Sequence, residues 1–277
     1  LGDVYKRQIS YHILKLKSLT RFRKRLVKNR TVFKERLINI LDIAFPEYSK
    51  HFTQVWGKVS FYILKNYPTA KDIANINVEE VMTTIHSLSK GHYSMIKLMK
   101  LIETAKTSIG FKNDYHVLEL QLTINMIEQL DSSIDKIENE IIEIMNQYNF
   151  KTATIPGIGI ISAASIVSEY EDFSKFQNPN QLLSFAGLEP AIYQSGTQQT
   201  YGHMVKRGSS YLRETIMNII PYVMAYNSVF YEYYRKKKSE GKHHRVALTH
   251  LAKKLIRIIY HLSLIHISEP TRLRCIS

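Results

Sequence analysis

A serine in a polar stretch is the residue of this sequence whose chemistry most needs explaining. Ser195 stands in "AIYQSGTQQTYGHMVKRGSSYLRE", residues 191–214, and no hydrophobic pattern is visible from Ser195 to Gly202. A hydroxyl in such a loop can act as a nucleophile once its proton is removed and the charge of the substrate is offset. By residue type alone a turn serine is the ordinary interpretation. We therefore expect a polar loop here, with Gly196 giving it backbone freedom.

Positive charge follows the serine loop directly. Lys206, Arg207 and Arg213 surround the expected start of a helix, where phosphate oxygens are favoured. Charges that simply face solvent are the alternative. Ser209 and Ser210 precede an apolar helical pattern, so one of them is expected to be its N-cap. The candidate DNA-binding set in this segment is Lys206, Arg207, Ser209 and Arg213.

A glycine-rich turn upstream is a second candidate contact with nucleic acid. It separates a helix expected to end near Asn149 from one expected to start near Ile160. Glycine permits positive backbone torsions, and the N–H groups at a new helix start can hold a phosphate oxygen. The turn resembles a helix-hairpin-helix, a module that grips the DNA backbone without reading bases, although a plain helical connection is the alternative. Its candidate DNA-binding residues are Gly157, Ile158 and Gly159.

The two ends of the sequence differ from the rest. "DVYKRQ" at residues 3–8 and "LSLIHI" at residues 262–267 can be encoded by GATGTGTATAAGAGACAG and CTGTCTCTTATACACATC, which are reverse complements. A library adapter joined to both ends of a fragment would produce this relation, so residues 1–8 and 262–277 are expected to be adapter-like scars outside the fold. The sole cysteine, Cys275, belongs to the second of them. Without it, disulfides and cysteine-ligated zinc are excluded, which fits a reducing cytoplasm.

Charge is distributed in bands along the chain. The formal net charge is +14, residues 9–45 carry ten Lys/Arg against two acids, and residues 195–261 carry twelve against three. Residues 116–148 hold seven acids and one lysine. Two basic segments around an acidic spacer favour a polyanionic partner, DNA or RNA. No apolar run approaches the roughly 20 residues that span a bilayer, so no membrane partner is expected.

Hydrophobic periodicity predicts a mainly α fold. Residues 12–45 form one long basic helix, and residues 51–110 form shorter helices, with Thr69 as the cap of one of them. Residues 116–148 show heptad spacing, which predicts a long coiled-coil or hairpin helix. Its partner is either the basic helix or a second subunit, and we expect a homo-oligomer through this coiled coil. We divide the chain into a basic and coiled-coil region, residues 9–150, and a helical C-terminal domain, residues 151–261.

The order of motifs carries a family resemblance. The Pro-Gly-Ile-Gly turn, "FQNPNQLLSFAGLEP", "YQSG" and "VKRGSSYLR" follow one another between Pro156 and Arg213. This run resembles the C-terminal domain of transposases of insertion-sequence family 110, which are RNA-guided DNA recombinases. The segment "LKSLTRFRKRLVKNRTVFKERLINILDIAFPEY" resembles the part that follows their N-terminal nuclease-like domain.

The resemblance implies a mechanism. It implies a RuvC-like domain with four carboxylates and Mg²⁺, a guide RNA, and a serine nucleophile that matches Ser195. Upstream of Leu14 no strand-borne carboxylates are present. Accordingly, the chain is expected to be inactive alone and to need no metal itself, with Mg²⁺ expected in the full-length family protein. A non-catalytic DNA- or RNA-binding helical protein and a helical assembly protein are the alternatives.

Overall fold

The computed structural model describes residues 2–111, 114–148, 150–195 and 198–268, with side chains over 11–111, 115–148, 150–189 and 205–263. The described part is mainly α, as the sequence predicts, and it includes one two-stranded antiparallel sheet. Its helices are α1 Gly2–Ala44, α2 Lys58–Asn66, α3 Ala70–Ala74, α4 Val78–Ser89, α5 Met95–Lys106, α6 Asp114–Gln147, α7 Ile160–Tyr170, α8 Pro179–Ala186, α9 Ser210–Tyr226, α10 Ser228–Ser239 and α11 His244–Ser268. The strands are β1 Pro190–Ser195 and β2 Gln198–Met204.

The chain divides into two compact units. Lys24–Lys136 form one, which we call the middle unit; Leu1–Arg23 together with Ile137–Ser277 form the other, the hairpin unit, named after its β1–β2 hairpin. Each unit takes part of α1 and part of α6, so the division cuts through both long helices.

The core of the middle unit contains the four short helices and the adjoining parts of α1 and α6. Leu37 and Leu41 of α1 and Leu120, Ile124 and Ile127 of α6 share one buried cluster. Burying a side chain of this size contributes about 1.5–3 kcal/mol. The helix α3 begins with a capping box, in which the Thr69 hydroxyl accepts from the Asp72 N–H and the Asp72 carboxylate accepts from the Thr69 N–H. The predicted Thr69 cap is therefore confirmed.

The core of the hairpin unit combines α7, α8, α9 and α11 with the ends of the long helices. Leu16 of α1 and Ile141 of α6 are buried in the same cluster as Ile166, Ile220 and Leu255. A 3-10 helix over Lys151–Thr154 stands between α6 and α7. The apolar residues that anchor α9 and α11 recur every three or four positions, which is the spacing of a helix with one buried face.

The acids of α6 meet cations of α1 within each unit. In the hairpin unit, Lys15 pairs with Glu140 and Arg23 donates to Glu138 at 2.6 Å. In the middle unit, Arg36 donates to Glu119 at 2.8 Å and Arg30 pairs with Asp131. Part of the basic face that the sequence offers to nucleic acid is thus engaged inside the protein.

The long helices continue through the expected scar residues. Helix α1 includes residues 2–8, and α11 includes residues 262–268. Across the described residues, no helix combines the length and the apolar character that membrane crossing requires.

Candidate serine hairpin and nucleic-acid interface

The serine loop is a β-hairpin. Strand β1 pairs antiparallel with β2, and the register sets Ser195, the last residue of β1, opposite Gln198. The polar loop predicted around Ser195 was therefore wrong for Ser195 and for residues 198–202, which lie in the two strands. A strand is usually recognised by apolar and polar residues in alternation, and this segment lacks that alternation because polar residues occupy both faces. Its Ile, Tyr and Thr residues nevertheless favour extended backbone. The Ser195 side chain and Gly196 lie outside the described residues.

Both legs of the hairpin are fastened where they enter it. The Val205 N–H donates to the Glu189 carbonyl at 2.8 Å, which extends the pairing beyond the strands. The Ser209 N–H donates to the Phe185 carbonyl at 2.9 Å, which ties the segment after β2 to the end of α8. We call this fastening the base clasp; it consists of residues 185–189 and 205–209 together with Arg213.

Arg213 joins the two sides of the base clasp. Its Nη1 donates to the Ala186 carbonyl at 3.2 Å and to the Lys206 carbonyl at 3.3 Å. The carbonyl of Ala186 lies at the end of α8, where helix carbonyls lack partners within the helix. Arg213 was predicted from the sequence as a DNA contact, but it donates hydrogen bonds to the backbone of the base clasp. Lys206 and Arg207, by contrast, are exposed.

Two glycines allow the clasp to close. Gly187 has φ +66°, and a Cβ there would lie 2.4 Å from the Arg207 carbonyl and 2.4 Å from Arg213 Nη1. Gly208 has φ +110°, and its Cβ would lie 2.3 Å from the Phe185 carbonyl. Positive φ and contact with backbone both exclude a larger residue. The two segments therefore approach as closely as they do because both positions are glycine.

Ser209 is the N-cap of α9 and also contacts a buried acid. Its hydroxyl accepts from the Leu212 N–H at 3.1 Å and donates to Glu169 Oε2 at 2.7 Å. The expectation of an N-cap at one of the two serines is confirmed for Ser209. Because its hydroxyl already donates one hydrogen bond and accepts another, Ser209 would have to break one of them to bind a phosphate.

Glu169 is held by Arg21 of α1. The side chain of Glu169 is 2 % exposed, and Arg21 Nε and Nη2 donate to its two oxygens at 2.7 and 3.0 Å. The Arg21 guanidinium also lies 4.8 Å from the ring centroid of Tyr211, in the first turn of α9. Paired hydrogen bonds of this kind fix orientation as well as charge. The start of α9, which follows the hairpin, is thus tied to α1 through one carboxylate.

The electrostatics of this cluster keep Glu169 ionised. Burial by itself raises the pKa of Glu169, but hydrogen bonds from Arg21 and Ser209 outweigh it and hold that pKa below its ordinary value. The hydrogen bond to Glu169 likewise raises the pKa of Arg21. A buried carboxylate would otherwise become neutral.

The sequence reasoning missed the pair of Glu169 and Arg21. A signal was present, since Glu169 is an acid at the end of the otherwise apolar helix "IISAASIVSEY", and an acid in a buried stretch requires a partner. Which cation supplies it is decided by contacts 148 residues apart along the chain.

The three residues of the glycine turn have different environments. Gly157 has φ +89°, and a Cβ on it would lie 2.6 Å from the Val223 nitrogen of α9. Ile158 is buried in the core. Gly159 is the N-cap of α7, has φ −72°, is exposed, and has nothing within 4 Å of the position of a Cβ. Of the three, Gly159 is the residue open to a ligand.

Ligands for a divalent metal are absent from the described side chains. No group of three or more His, Cys, Asp or Glu is arranged to hold an ion there. The carboxylate of Glu169 is engaged by Arg21 and Ser209. These residues do not fit Mg²⁺, which prefers several oxygen ligands.

Residues 151–235 match the family model described as Transposase IS116/IS110/IS902 family. They include α7 to α9, the hairpin and the base clasp. This part of the chain is therefore similar to the transposase domain of that family, in agreement with the resemblance found in the motifs.

Individual proteins match over longer or shorter segments. The chain is 25% identical over 254 residues to an uncharacterised 44.8 kDa protein of insertion element IS116 from Streptomyces clavuligerus, over 88% of this chain and 62% of that protein. It is 29% identical over 90 residues, 32% of this chain and 25% of the relative, to a transposase for insertion sequence element IS1111A from Coxiella burnetii. A pilin gene-inverting protein of Moraxella lacunata is 27% identical over 149 residues, 50% of this chain and 45% of that protein. The chain thus spans less than two thirds of each of these relatives.

Proposed function

We propose that this chain acts in DNA transposition or site-specific recombination, with Ser195 as the nucleophile. The carrying observation is the position of Ser195 at the end of β1, beside the two-residue connection of a hairpin whose base is fastened on both legs. A nucleophile on a braced hairpin can enter the groove of a nucleic acid while its support stays in place. The transposase domain over residues 151–235 supports the same function, and so does the relative named for gene inversion.

The proposed chemistry is the transfer of a phosphoryl group to serine. Ser195 Oγ attacks phosphorus, the bond from phosphorus to a deoxyribose oxygen breaks, and that oxygen leaves as a hydroxyl. The serine proton passes to a base, and the new phosphoserine diester keeps the energy needed for rejoining. The exposed cations Lys206 and Arg207, just after β2, supply positive charge for the phosphate.

The remaining candidate contacts divide into two roles. Gly159, Lys206 and Arg207 are exposed, and we assign them to the phosphate backbone of DNA. Gly157, Ile158, Ser209 and Arg213 act by holding the turn, the start of α9 and the hairpin in place. The glycine turn then serves as a variant of the helix-hairpin-helix in which Gly157 packs against α9 and Gly159 binds the phosphate.

Activity requires more than the described residues offer. We propose that the chain alone binds duplex DNA or a structured guide RNA without cleaving, and that carboxylates with Mg²⁺ come from the RuvC-like domain that the resemblance implies. The long helices α1 and α6 are the proposed surface for a homo-oligomer.

The test of the nucleophile is the covalent intermediate. We expect the chain alone to shift DNA on a native gel and to give no SDS-stable adduct. Joined to the carboxylate domain, it gives an adduct, which Ser195→Ala abolishes while DNA affinity changes less than about twofold. Ser210→Ala, at an exposed position that does not cap α9, keeps the adduct. An adduct formed by the Ser195→Ala protein would contradict the assignment.

Non-catalytic binding of nucleic acid is the second candidate function. The hydrogen bonds that already occupy the carboxylate of Glu169 favour it. Glu169, the buried carboxylate beside the start of α9, is bonded to Arg21 and Ser209 and is not placed to act as a base. A gel shift with DNA but no adduct in any combination would support binding alone.

A further inference from the structure

A cavity in the middle unit is separate from the hairpin and from the glycine turn. It has a volume of about 420 Å³ and lies where α3, the end of α5 and the first turn of α6 meet. Small-molecule sites usually measure about 300–1,000 Å³. The cavity is therefore large enough for a nucleotide-sized ligand.

The charge of its lining selects for an anion. Lys71 of α3 and Lys106 at the end of α5 both line the cavity, and both are exposed. None of the lining residues that the structure describes is acidic. The carboxylates of Glu47 and Asp72 are bonded to the lining residues Ser108 and Thr69, so the two lysines are the charged side chains of the lining itself and favour a phosphate or another anionic group at the cavity mouth.

One polar group at the cavity lacks a partner in the protein. His116 lines the cavity, is 8 % exposed, and its Nδ1 has no hydrogen-bond partner. Buried polar atoms are rarely left unbonded, because doing so costs free energy. The imidazole of His116 therefore lies in the cavity wall with hydrogen-bonding capacity that the protein does not use.

The remaining walls suit a flat, weakly polar ring. Ala74 and Ala105 present only methyl groups, and Phe111, which is 64 % exposed, stands at the rim. Asn75 contributes an amide at the same wall. Nucleobases stack on aromatic rings and bond through their edges to amide and imidazole groups.

We propose that this cavity binds a nucleotide, with its phosphate at Lys71 and Lys106 and its base against the alanine walls, Phe111 and His116. The nucleotide comes either from solution or from an unstacked position in a nucleic acid strand. The site does not depend on the role of Ser195.

The test is calorimetric titration of the full chain with AMP, adenosine and inorganic phosphate. We expect AMP to bind at least about tenfold more tightly than either part, because it uses both the charged and the apolar walls. Lys106→Gln weakens AMP binding by about tenfold. Lys100→Gln, which removes the same charge from the same helix outside the cavity, leaves it unchanged.

Two further measurements complete the test. Ala74→Leu fills the cavity and is expected to abolish AMP binding while the protein still melts cooperatively; if it does not melt cooperatively, Lys106→Gln decides. Competition with a single-stranded oligonucleotide identifies the source: displacement of AMP assigns the site to a strand, and no displacement assigns it to a free nucleotide. The proposal fails if AMP binds no better than adenosine or phosphate, or if Lys106→Gln and Lys100→Gln behave alike.

Discussion

At the scale of single residues, Glu169 is the buried group that ties the start of α9, which follows the hairpin, to α1. It is 2 % exposed and accepts hydrogen bonds from Arg21 and Ser209. Breaking a buried pair from one side is costly because the remaining charge is left without a partner. The same carboxylate also accepts a hydrogen bond from Ser209, the N-cap of α9.

Replacing this carboxylate is expected to change stability in a pH-dependent way. The folded-state pKa of Glu169 is depressed, so its stabilising contribution is present above the ordinary glutamate pKa and is lost as pH falls through the folded value. At pH 7, Glu169→Gln is expected to lower the free energy of unfolding by about 1–3 kcal/mol. Urea unfolding at pH 7 and pH 3 measures the difference, which should shrink at pH 3.

The control for that experiment is Glu232→Gln on an exposed face of α10. It should cost less than about 0.5 kcal/mol at both pH values. A Glu169→Gln protein whose deficit is the same at pH 7 and pH 3 would show that the charge of Glu169 contributes nothing to the fold.

At the scale of secondary-structure elements, the hairpin is positioned by what lies at its base. Arg213 donates to the Ala186 and Lys206 carbonyls, and the Val205 N–H donates to the Glu189 carbonyl. Arg213 therefore belongs to the support of the hairpin, and Lys206 and Arg207 are the cations that face outward.

Arg213→Lys separates support from DNA contact, because lysine keeps the charge but lacks the planar guanidinium that sets the Nη1 donor between the Ala186 and Lys206 carbonyls. We expect faster amide hydrogen exchange at Val205, by about fivefold, since weakening one net hydrogen bond of about 1 kcal/mol opens the clasp more often. The control, Arg207→Lys, should leave Val205 protected. Equal exchange in the two variants would mean that Arg213 does not hold the clasp.

The glycine turn is expected to respond differently at its two glycines. Gly157→Ala should destabilise the protein by more than about 1 kcal/mol without any nucleic acid, because its φ is +89° and its Cβ would meet the backbone of α9. Gly241→Ala is the matched control, with φ +77° and nothing within 4 Å, and should cost less. Thermal unfolding ranks them; equal losses would show that the close approach at Gly157 relaxes freely. Gly159→Ala then tests DNA binding without disturbing the packing.

At the scale of the whole molecule, the net charge exceeds the positive charge that is available to contact the phosphates of a nucleic acid. The chain carries a formal +14, yet Lys15 and Lys17 are paired with Glu140 and Glu171. Lys236 and Lys238, near the end of α10, are exposed. The affinity for DNA should therefore depend more on exposed lysines than on lysines paired with a carboxylate.

The salt dependence of DNA binding measures this difference. For duplex DNA, log K falls with log salt by about 0.9 for each phosphate neutralised. Lys236→Gln with Lys238→Gln should therefore reduce the slope by up to about 1.8, while Lys15→Gln with Lys17→Gln removes the same charge and should leave it nearly unchanged. Equal slopes for the two double variants would contradict the expectation that exposed lysines contribute more to DNA binding than paired ones.

The sequence by itself determined the helices and many of their ends. The heptad row of Leu120, Ile127, Ile134 and Ile141 is buried along α6, and the caps at Thr69 and Ser209 form as predicted. These signals are local, because helical periodicity and capping involve residues within about four positions of each other. The order of short motifs also indicated the family whose model matches residues 151–235.

Only the tertiary structure decided the hairpin, its clasp and the cavity. The strands have no apolar alternation to reveal them, and their backbone groups pair with each other across the turn. Glu169 meets Arg21 across 148 positions of the chain, and His116 reaches the cavity beside α3. Contacts at such separations depend on how the helices pack, which no local pattern encodes. Sequence therefore placed Ser195 among the candidates, and packing showed what holds its hairpin.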